Sequence, residues 1–270
     1  QATQPQLEAT LAAADLLLFS TSELAEGWQR YRNARGIPAV PVQLWPNLIP
    51  TPLQAAWRQP QIRQLRQRSG RLRLVVASAS TPHLLAWHQQ LVPALVELMQ
   101  QHPRLQLDLL GSVPLAAPLD PFRQRIRCRG HSDFSTYLQR LAEADIGLMV
   151  LEPGPFTDAK SPNRWMECSL MGLATVLSPI RSCTDLLQHG VHTRFARQPQ
   201  DWVEQINQLL RHPRQRLQLV QQAQQLAWQH LRHEHAAALW APLLQAQTSA
   251  PRRVLLVSEQ ISGAPLDPPD

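Results

Sequence analysis

The residues of this chain best placed to do chemistry fall within residues 157–178, TDAKSPNRWMECSLMGLATVLS. Lys160 is the only lysine; every other position of that charge class is arginine. Ser161 is expected to cap a helix and Pro162 to fill its first turn, where no N–H partner is needed. The helix that follows carries Trp165, Met166, Cys168, Leu170 and Met171, apolar on most faces and therefore expected to be buried. Glu167 sits inside it, and a buried carboxylate is costly unless it is paired or hydrogen-bonded. Gly172 stops the helix, and Ala174–Leu177 reads as a short buried strand. Two arrangements satisfy these residues. In one, Glu167 pairs with Arg164 a turn back and Lys160 is a solvated surface charge. In the other, the helix N-terminus and Lys160 hold phosphates while Glu167 accepts hydrogen bonds from sugar hydroxyls.

The elements that must position these residues have an α/β rhythm. Residues 5–14 read as a helix end and 15–19 (DLLLF) as a buried strand. Ser20 with Glu23 reads as a capping box opening a helix to about Asn33, followed by a strand near 39–43. Prolines 46, 50 and 52 mark a linker. The run 71–78 is a central parallel strand, ending in a turn that holds Ser78, Ser80 and His83 before a long helix over about 84–101. Ligands of open α/β sheets bind at such strand ends, so this turn is a candidate pocket wall. Residues 105–110 form the next strand, and a proline-rich loop runs to Pro121. A strand over 125–129 ends in Gly130 and His131, and Ser132 or Asp133 caps a helix to about Ala144. Residues 145–151 are a buried strand feeding the opening stretch. An edge strand at 191–197 and two amphipathic helices over 201–210 and 214–232 follow. His230, His233 and His235 lack the i, i+4 pair of a zinc helix and read as solvated, so no metal is expected. Residues 250–257 read as either part of a disordered tail or the first strand of a further domain.

The stretch KSPNRWMECSLMGLATVLS resembles the donor-site signature of group 1 retaining glycosyltransferases of the GT-B fold: Lys-Ser, a basic residue, Glu, then Gly-x-Pro-Val and a serine. The resemblance covers most of residues 12–245 and is best at 125–210. It implies a Rossmann-like, doubly wound parallel sheet, the C-terminal domain of GT-B, with a partial N-terminal domain. It implies that residues 1–48 are the remnant of an acceptor domain, that 49–247 form the nucleotide-sugar domain, and that 248–270 are a tail or the start of a further domain. By the same resemblance Glu167 binds the ribose, and Ser161 lies against the donor's phosphates and sugar. Ser78, Ser80 and His83 lie near the diphosphate, and Gly130 and His131 pack on the base. Lys160 is the catalytic charge that stabilises the departing diphosphate. Two positions depart from the pattern. The partner of a Glu-x7-Glu pair is Ala159, with Asp158 beside it, and the proline of Gly-x-Pro is Ala174.

Composition bounds the partners. With 270 residues, 44% hydrophobic and 17% charged, the chain holds one large or two small domains. No apolar run is long enough to cross a bilayer. Cys128, Cys168 and Cys183 are odd in number and lack metal spacing, which suggests free thiols in a reducing compartment. A net charge of +6 invites nucleotide phosphates, nucleic acid or an anionic membrane surface. The arginine-rich stretch 53–70 carries one aromatic residue, Trp57, which argues against nucleic acid. The expected protein is a cytoplasmic glycosyltransferase fragment that binds a nucleoside-diphosphate sugar and needs no other cofactor. A saccharide or lipid-linked acceptor, the remainder of a parent chain and peripheral contact with the inner face of a membrane are its expected partners. The missing acceptor half would leave the fragment with little or no turnover. The alternative is a catalytically inactive GT-B-like structural or interaction module.

Overall fold

The computed structural model describes residues 4–57, 72–78, 84–231 and 254–257. They form two parallel sheets. The smaller is built from α1 (Gln4–Ala12), β1 (Leu16–Phe19), α2 (Ser22–Ala34) and β2 (Val42–Leu44). All four residues of β1 are buried, as its apolar run demands of a strand flanked on both sides. Its two neighbours are β2 and β9 (Val254–Val257). Residues 254–257, expected within a tail or a further domain, thus lie in register beside β1, with Leu16 opposite Val254. Leu11, Leu17, Phe19, Ala25 and Trp28 form the core of this sheet and its helices.

One cap differs from expectation. Thr21, not Ser20, opens α2, its hydroxyl accepting from the Leu24 amide at 3.3 Å. Ser20 directly follows β1, and among the described residues its buried hydroxyl has no hydrogen-bond partner. Glu23 is consequently released from capping. Its carboxylate turns to Arg30 and Arg181, which together hold it below the usual carboxylate range, Arg30 most strongly.

A short helix α3 (Thr51–Trp57) leads to the larger sheet, six parallel strands in the order β5-β4-β3-β6-β7-β8. These are β3 (Arg73–Ser78), β4 (Gln106–Gly111), β5 (Ile126–Arg129), β6 (Ile146–Met149), β7 (Ala174–Leu177) and β8 (Arg194–Phe195). From β3 the chain winds outward through β4 and β5, then returns to the other side of β3 for β6, β7 and β8. That reversal is the topological switch at which open α/β sheets bind ligands. Cores pack on both faces, one around Trp87, Leu95, Leu98, Trp202 and Ile206, the other around Leu141, Trp165, Met171, Ala223 and Ala227.

The helices between these strands are α4 (Leu84–Ala86, then Trp87–Leu91, then Val92–Gln101), α5 (Phe134–Ala142), α6 (Pro155–Asp158), α7 (Asn163–Leu170), α8 (Arg181–Leu186), α9 (Pro199–Arg211) and α10 (Pro213–Leu231). The middle of α4 widens into a π-helical turn just before Pro93. Proline donates no amide and crowds the carbonyl a turn back, and a wider turn relieves both. The stretch expected as a proline-rich loop is instead a 3-10 run, Ala117–Arg125, with Pro118 in its first turn and Pro121 inside it. Helix α7 begins later than expected. Pro162 holds the cap position without a side-chain hydrogen bond, and Ser161 is not the cap. Its hydroxyl instead accepts from Asn47 Nδ2 at 2.8 Å. Gly172 stops α7 at φ +78°, a conformation that favours glycine. Among the described residues no helix is long and apolar enough to cross a membrane.

Candidate functional site

A cavity of about 260 Å³ opens at the carboxyl ends of β3, β4 and β5, and Ser78, Gly130, His131, Tyr137, Arg164 and Glu167 contribute to its wall. Strand ends supply the backbone part. Ser78 is the last residue of β3 and Gly111 the last of β4, paired in register. Gly111 has φ +74°, and a Cβ there would lie 2.2 Å from the Ser78 carbonyl oxygen. That close approach lets the Ser112 amide donate to Ser78 O at 2.8 Å. It also brings Ser112 Oγ to His131 Nε2 at 2.8 Å, which orients the imidazole after β5. Asp133 then caps α5, accepting from the Thr136 amide at 2.9 Å and the Thr136 hydroxyl at 2.6 Å. Those bonds favour the ionised carboxylate and hold it below its usual range.

Helices α5 and α7 supply the charged wall. Tyr137 lies one turn into α5, its amide bonded to Asp133 O at 3.0 Å. Its hydroxyl donates to Glu167 Oε2 at 2.8 Å. Arg164 Nη1 donates to that same hydroxyl and stands 3.3 Å from Glu167 Oε2. The pairing of Glu167 with Arg164 expected from their spacing is therefore present, with Tyr137 as a third member. Glu167 is half-buried rather than enclosed, its side chain 16% exposed. The apolar residues around it in α7 are buried. The helix thus buries Trp165, Met166, Cys168 and Leu170 on the core side and turns its carboxylate to the cavity. Cys168 and Cys183 are buried and Cys128 is exposed, none of them in a disulfide among the described residues.

Lys160 occupies a different setting. It lies in the turn between α6 and α7, and its Nζ sits 4.8 Å from the centroid of the Phe156 ring, a cation–π contact. The turn is tied down from three sides. Thr21 Oγ1 donates to Ala159 O at 2.9 Å, and the Ser182 hydroxyl donates to Lys160 O. Asn47 Nδ2 reaches Ser161 Oγ at 2.8 Å and Asn163 Oδ1 at 3.2 Å. Thr21 and Asn47 belong to the part of the chain that carries the smaller sheet, so the Lys160 turn is where the two sheets meet.

Of the residues singled out from sequence, Ser78, Gly130, His131 and Glu167 share one cavity wall. Lys160 and Ser161 do not line that cavity and lie on the turn beside it. Ser80, His83, His230's side chain, His233, His235 and most of the arginine-rich stretch 53–70 lie outside the described residues. Sequence reasoning missed Tyr137, Thr21 and Asn47. For Tyr137 a signal was present, since an Asp133 cap places it on the first turn of its helix. For Thr21 and Asn47 there was none, because their partners are more than a hundred residues away.

A family model described as glycosyl transferase-like matches residues 89–241. No curated protein matches the chain. Among solved structures the chain is similar to HepE of Anabaena in complex with UDP, with 17% identity and a TM-score of 0.65, over 86% of this chain and 64% of that one. It is similar to the pneumococcal O-GlcNAc transferase GtfA in complex with UDP and GlcNAc, with 16% identity and a TM-score of 0.61, over 85% of this chain and 44% of that one. It is also similar to the sucrose-phosphate synthase of Thermosynechococcus elongatus, with 17% identity and a TM-score of 0.60, over 92% of this chain and 63% of that one. At such identities the likeness shows the fold. The chain spans less than two thirds of the length of each of these three structures.

Proposed function

The chain belongs to the glycosyl transferase-like family, and from that premise we propose that it binds a nucleoside-diphosphate sugar for transfer of the sugar to an acceptor hydroxyl with retention, without a metal or further cofactor. The observation that carries this reading is the gathering of Ser78, Gly130, His131 and Glu167 on one cavity at the carboxyl rim of the larger sheet. Strand ends and backbone at Gly130 and His131 take the base, and Glu167 accepts from the ribose hydroxyls. The diphosphate extends toward the turn that carries Lys160.

As the bond from sugar to diphosphate lengthens, negative charge builds on the departing phosphate. Lys160 supplies positive charge there. Its turn is already held by Thr21, Asn47 and Ser182, so little reorganisation is required when the charge develops. The acceptor, a saccharide or lipid-linked hydroxyl, approaches from the side of the smaller sheet. HepE and GtfA hold UDP in their structures, which supports a nucleoside diphosphate as the ligand class.

Thermal unfolding with UDP, GDP, ADP and dTDP tests this. A nucleotide at one hundred times its dissociation constant stabilises the fold by about 2.7 kcal/mol. The expected result is a response to at least one nucleotide that is lost in Glu167→Ala and weakened in Lys160→Ala. No response to any of the four would assign the chain to the non-catalytic module, a reading that Ala159 at the acidic position favours.

A further inference from the structure

We propose that Tyr137, clamped by Arg164, is a positioning residue that fixes the Glu167 carboxylate so that its Oε1 is presented to the vicinal hydroxyls of a bound ribose. The proposal rests on the nucleotide-binding reading above and adds a residue and a division of labour to it.

A tyrosine hydroxyl has one hydrogen to donate and can accept, whereas a guanidinium only donates. Arg164 Nη1 takes the accepting side of the Tyr137 hydroxyl. The single phenolic proton is then committed to Glu167 Oε2, at 2.8 Å. Arg164 also stands 3.3 Å from that same oxygen. Both local donors therefore converge on Oε2, and among the described residues Oε1 accepts no hydrogen bond. The carboxylate carries one satisfied oxygen and one open oxygen, on a cavity wall.

The Tyr137 ring has two further neighbours. The Arg164 guanidinium carbon lies 5.0 Å from the Tyr137 ring centroid, and the Phe134 ring lies 6.0 Å away from the same ring. The Asp133 cap fixes the first turn of α5, and with it the start of the tyrosine side chain. Burial holds the phenol well above its ordinary range, with Glu167 adding to the shift and Arg164 opposing it. That shift favours the protonated phenol, the form that can donate. A glutamate side chain held loosely loses rotamer freedom when it binds a ligand. Here that loss has been incurred before the ligand arrives.

The test compares UDP, ADP and GDP with their 2′,3′-dideoxy forms by calorimetry on the full chain, wild type against Tyr137→Phe, Arg164→Met and Glu167→Gln. The wild type should prefer at least one ribose nucleotide over its dideoxy form by about tenfold or more, the worth of a hydrogen bond to a charged group. Tyr137→Phe should lose much of that preference through weaker ribose binding, with dideoxy affinity unchanged. Arg164→Met, which keeps the phenol but removes the donor on its accepting side so that the hydroxyl can turn away from Glu167, should move in the same direction, so the proposal stays testable if Tyr137→Phe fails to fold. A wild type with no preference for any ribose form overturns the role of Glu167 and this proposal with it. Preference lost in Glu167→Gln but intact in the Tyr137 and Arg164 variants overturns only the proposal. Equal weakening of both forms in Tyr137→Phe makes the tyrosine a brace between helices and also overturns it.

Discussion

The guanidinium of Arg181 meets the carboxylate of Glu26 fork to fork, Nη1 to Oε2 and Nη2 to Oε1 both at 2.9 Å. Glu26 belongs to the helix behind β1 and Arg181 to the helix after β7, so the pair joins the two sheets. Glu23 reaches the same guanidinium, and the Arg181 amide donates to Asp158 at 2.9 Å, beside the Lys160 turn. Both partners of the pair are partly exposed and therefore open to screening by salt. Arg181→Ala is expected to raise the rate of proteolysis in the 45–50 connection a few-fold at low ionic strength. Near 1 M salt, where the Debye length is about 3 Å, the wild type should approach the variant. A rate that ignores both substitution and salt would show that the sheets are held by other contacts.

Asp108 is fully buried in β4 beneath Arg73 and Arg127. Burial pushes its carboxyl up to about 6, against the pull of Arg73 and Arg129 and with Glu143 adding to the rise. A carboxyl raised in the folded state stabilises the fold below its unfolded value and loses that contribution as pH rises through the folded value. The wild type should therefore lose about 2 kcal/mol relative to Asp108→Asn between pH ~4 and ~6. Urea unfolding of both proteins across that window checks it, and parallel curves would refute it.

Gly111→Ala should be disabling out of proportion to its size. The new methyl would meet the Ser78 carbonyl at 2.2 Å, in a backbone conformation of φ +74°. Strain of this kind costs on the order of 2 kcal/mol. The strand ends would have to separate, and the Ser112–His131 contact would shift with them. The expected outcome is a lower unfolding midpoint and loss of the nucleotide response. Retention of full nucleotide affinity would place the ligand elsewhere.

The turn before β8 should loosen in mild acid. His189 Nδ1 accepts from the Phe195 amide at 3.0 Å, and His192 Nδ1 accepts from the Gln188 amide at 3.1 Å. Both imidazoles must be neutral at Nδ1 to do so, and burial lowers both below the ordinary histidine range. The stability they contribute is present above the unfolded value near 6.5 and is lost as pH falls through the lower folded values. Amide exchange at Gln188 and Phe195, normalised for its intrinsic pH dependence, should speed up below that point. Exchange unaffected in a His189→Gln, His192→Gln double variant would support the assignment.

Local apolar runs were legible in the sequence. The strand Ala174–Leu177 has the bounds its sequence implies, and the Asp133 cap stands where its spacing puts it. Both depend only on neighbours within a few residues. The Lys160 and Glu167 segment was recognisable as one unit because its signature is contiguous. What sequence could not convey is which way each side chain turns once helices dock. Arg164 was readable as a partner for Glu167 at helical spacing, but Tyr137 enters the same network from a helix about thirty residues earlier. Ser161 looked like a cap until Asn47 claimed its hydroxyl across the sheet boundary. Ser20 and Thr21 are chemically near equivalent as caps, and the choice between them is made by where β1 ends.

The pairing of β1 with β9 has a consequence for biosynthesis. The partner that completes the smaller sheet is encoded after the whole of the larger one. Until residues 254–257 are made, β2 is the only described strand beside β1, and a two-stranded arrangement by itself is marginal in water. The larger sheet, whose strands follow one another closely in the chain, can close before β9 is available to β1. A ribosome stalled before residue 254 would carry a nascent chain whose Leu16–Phe19 edge lacks its β9 partner, a template for aggregation until a chaperone or that strand covers it.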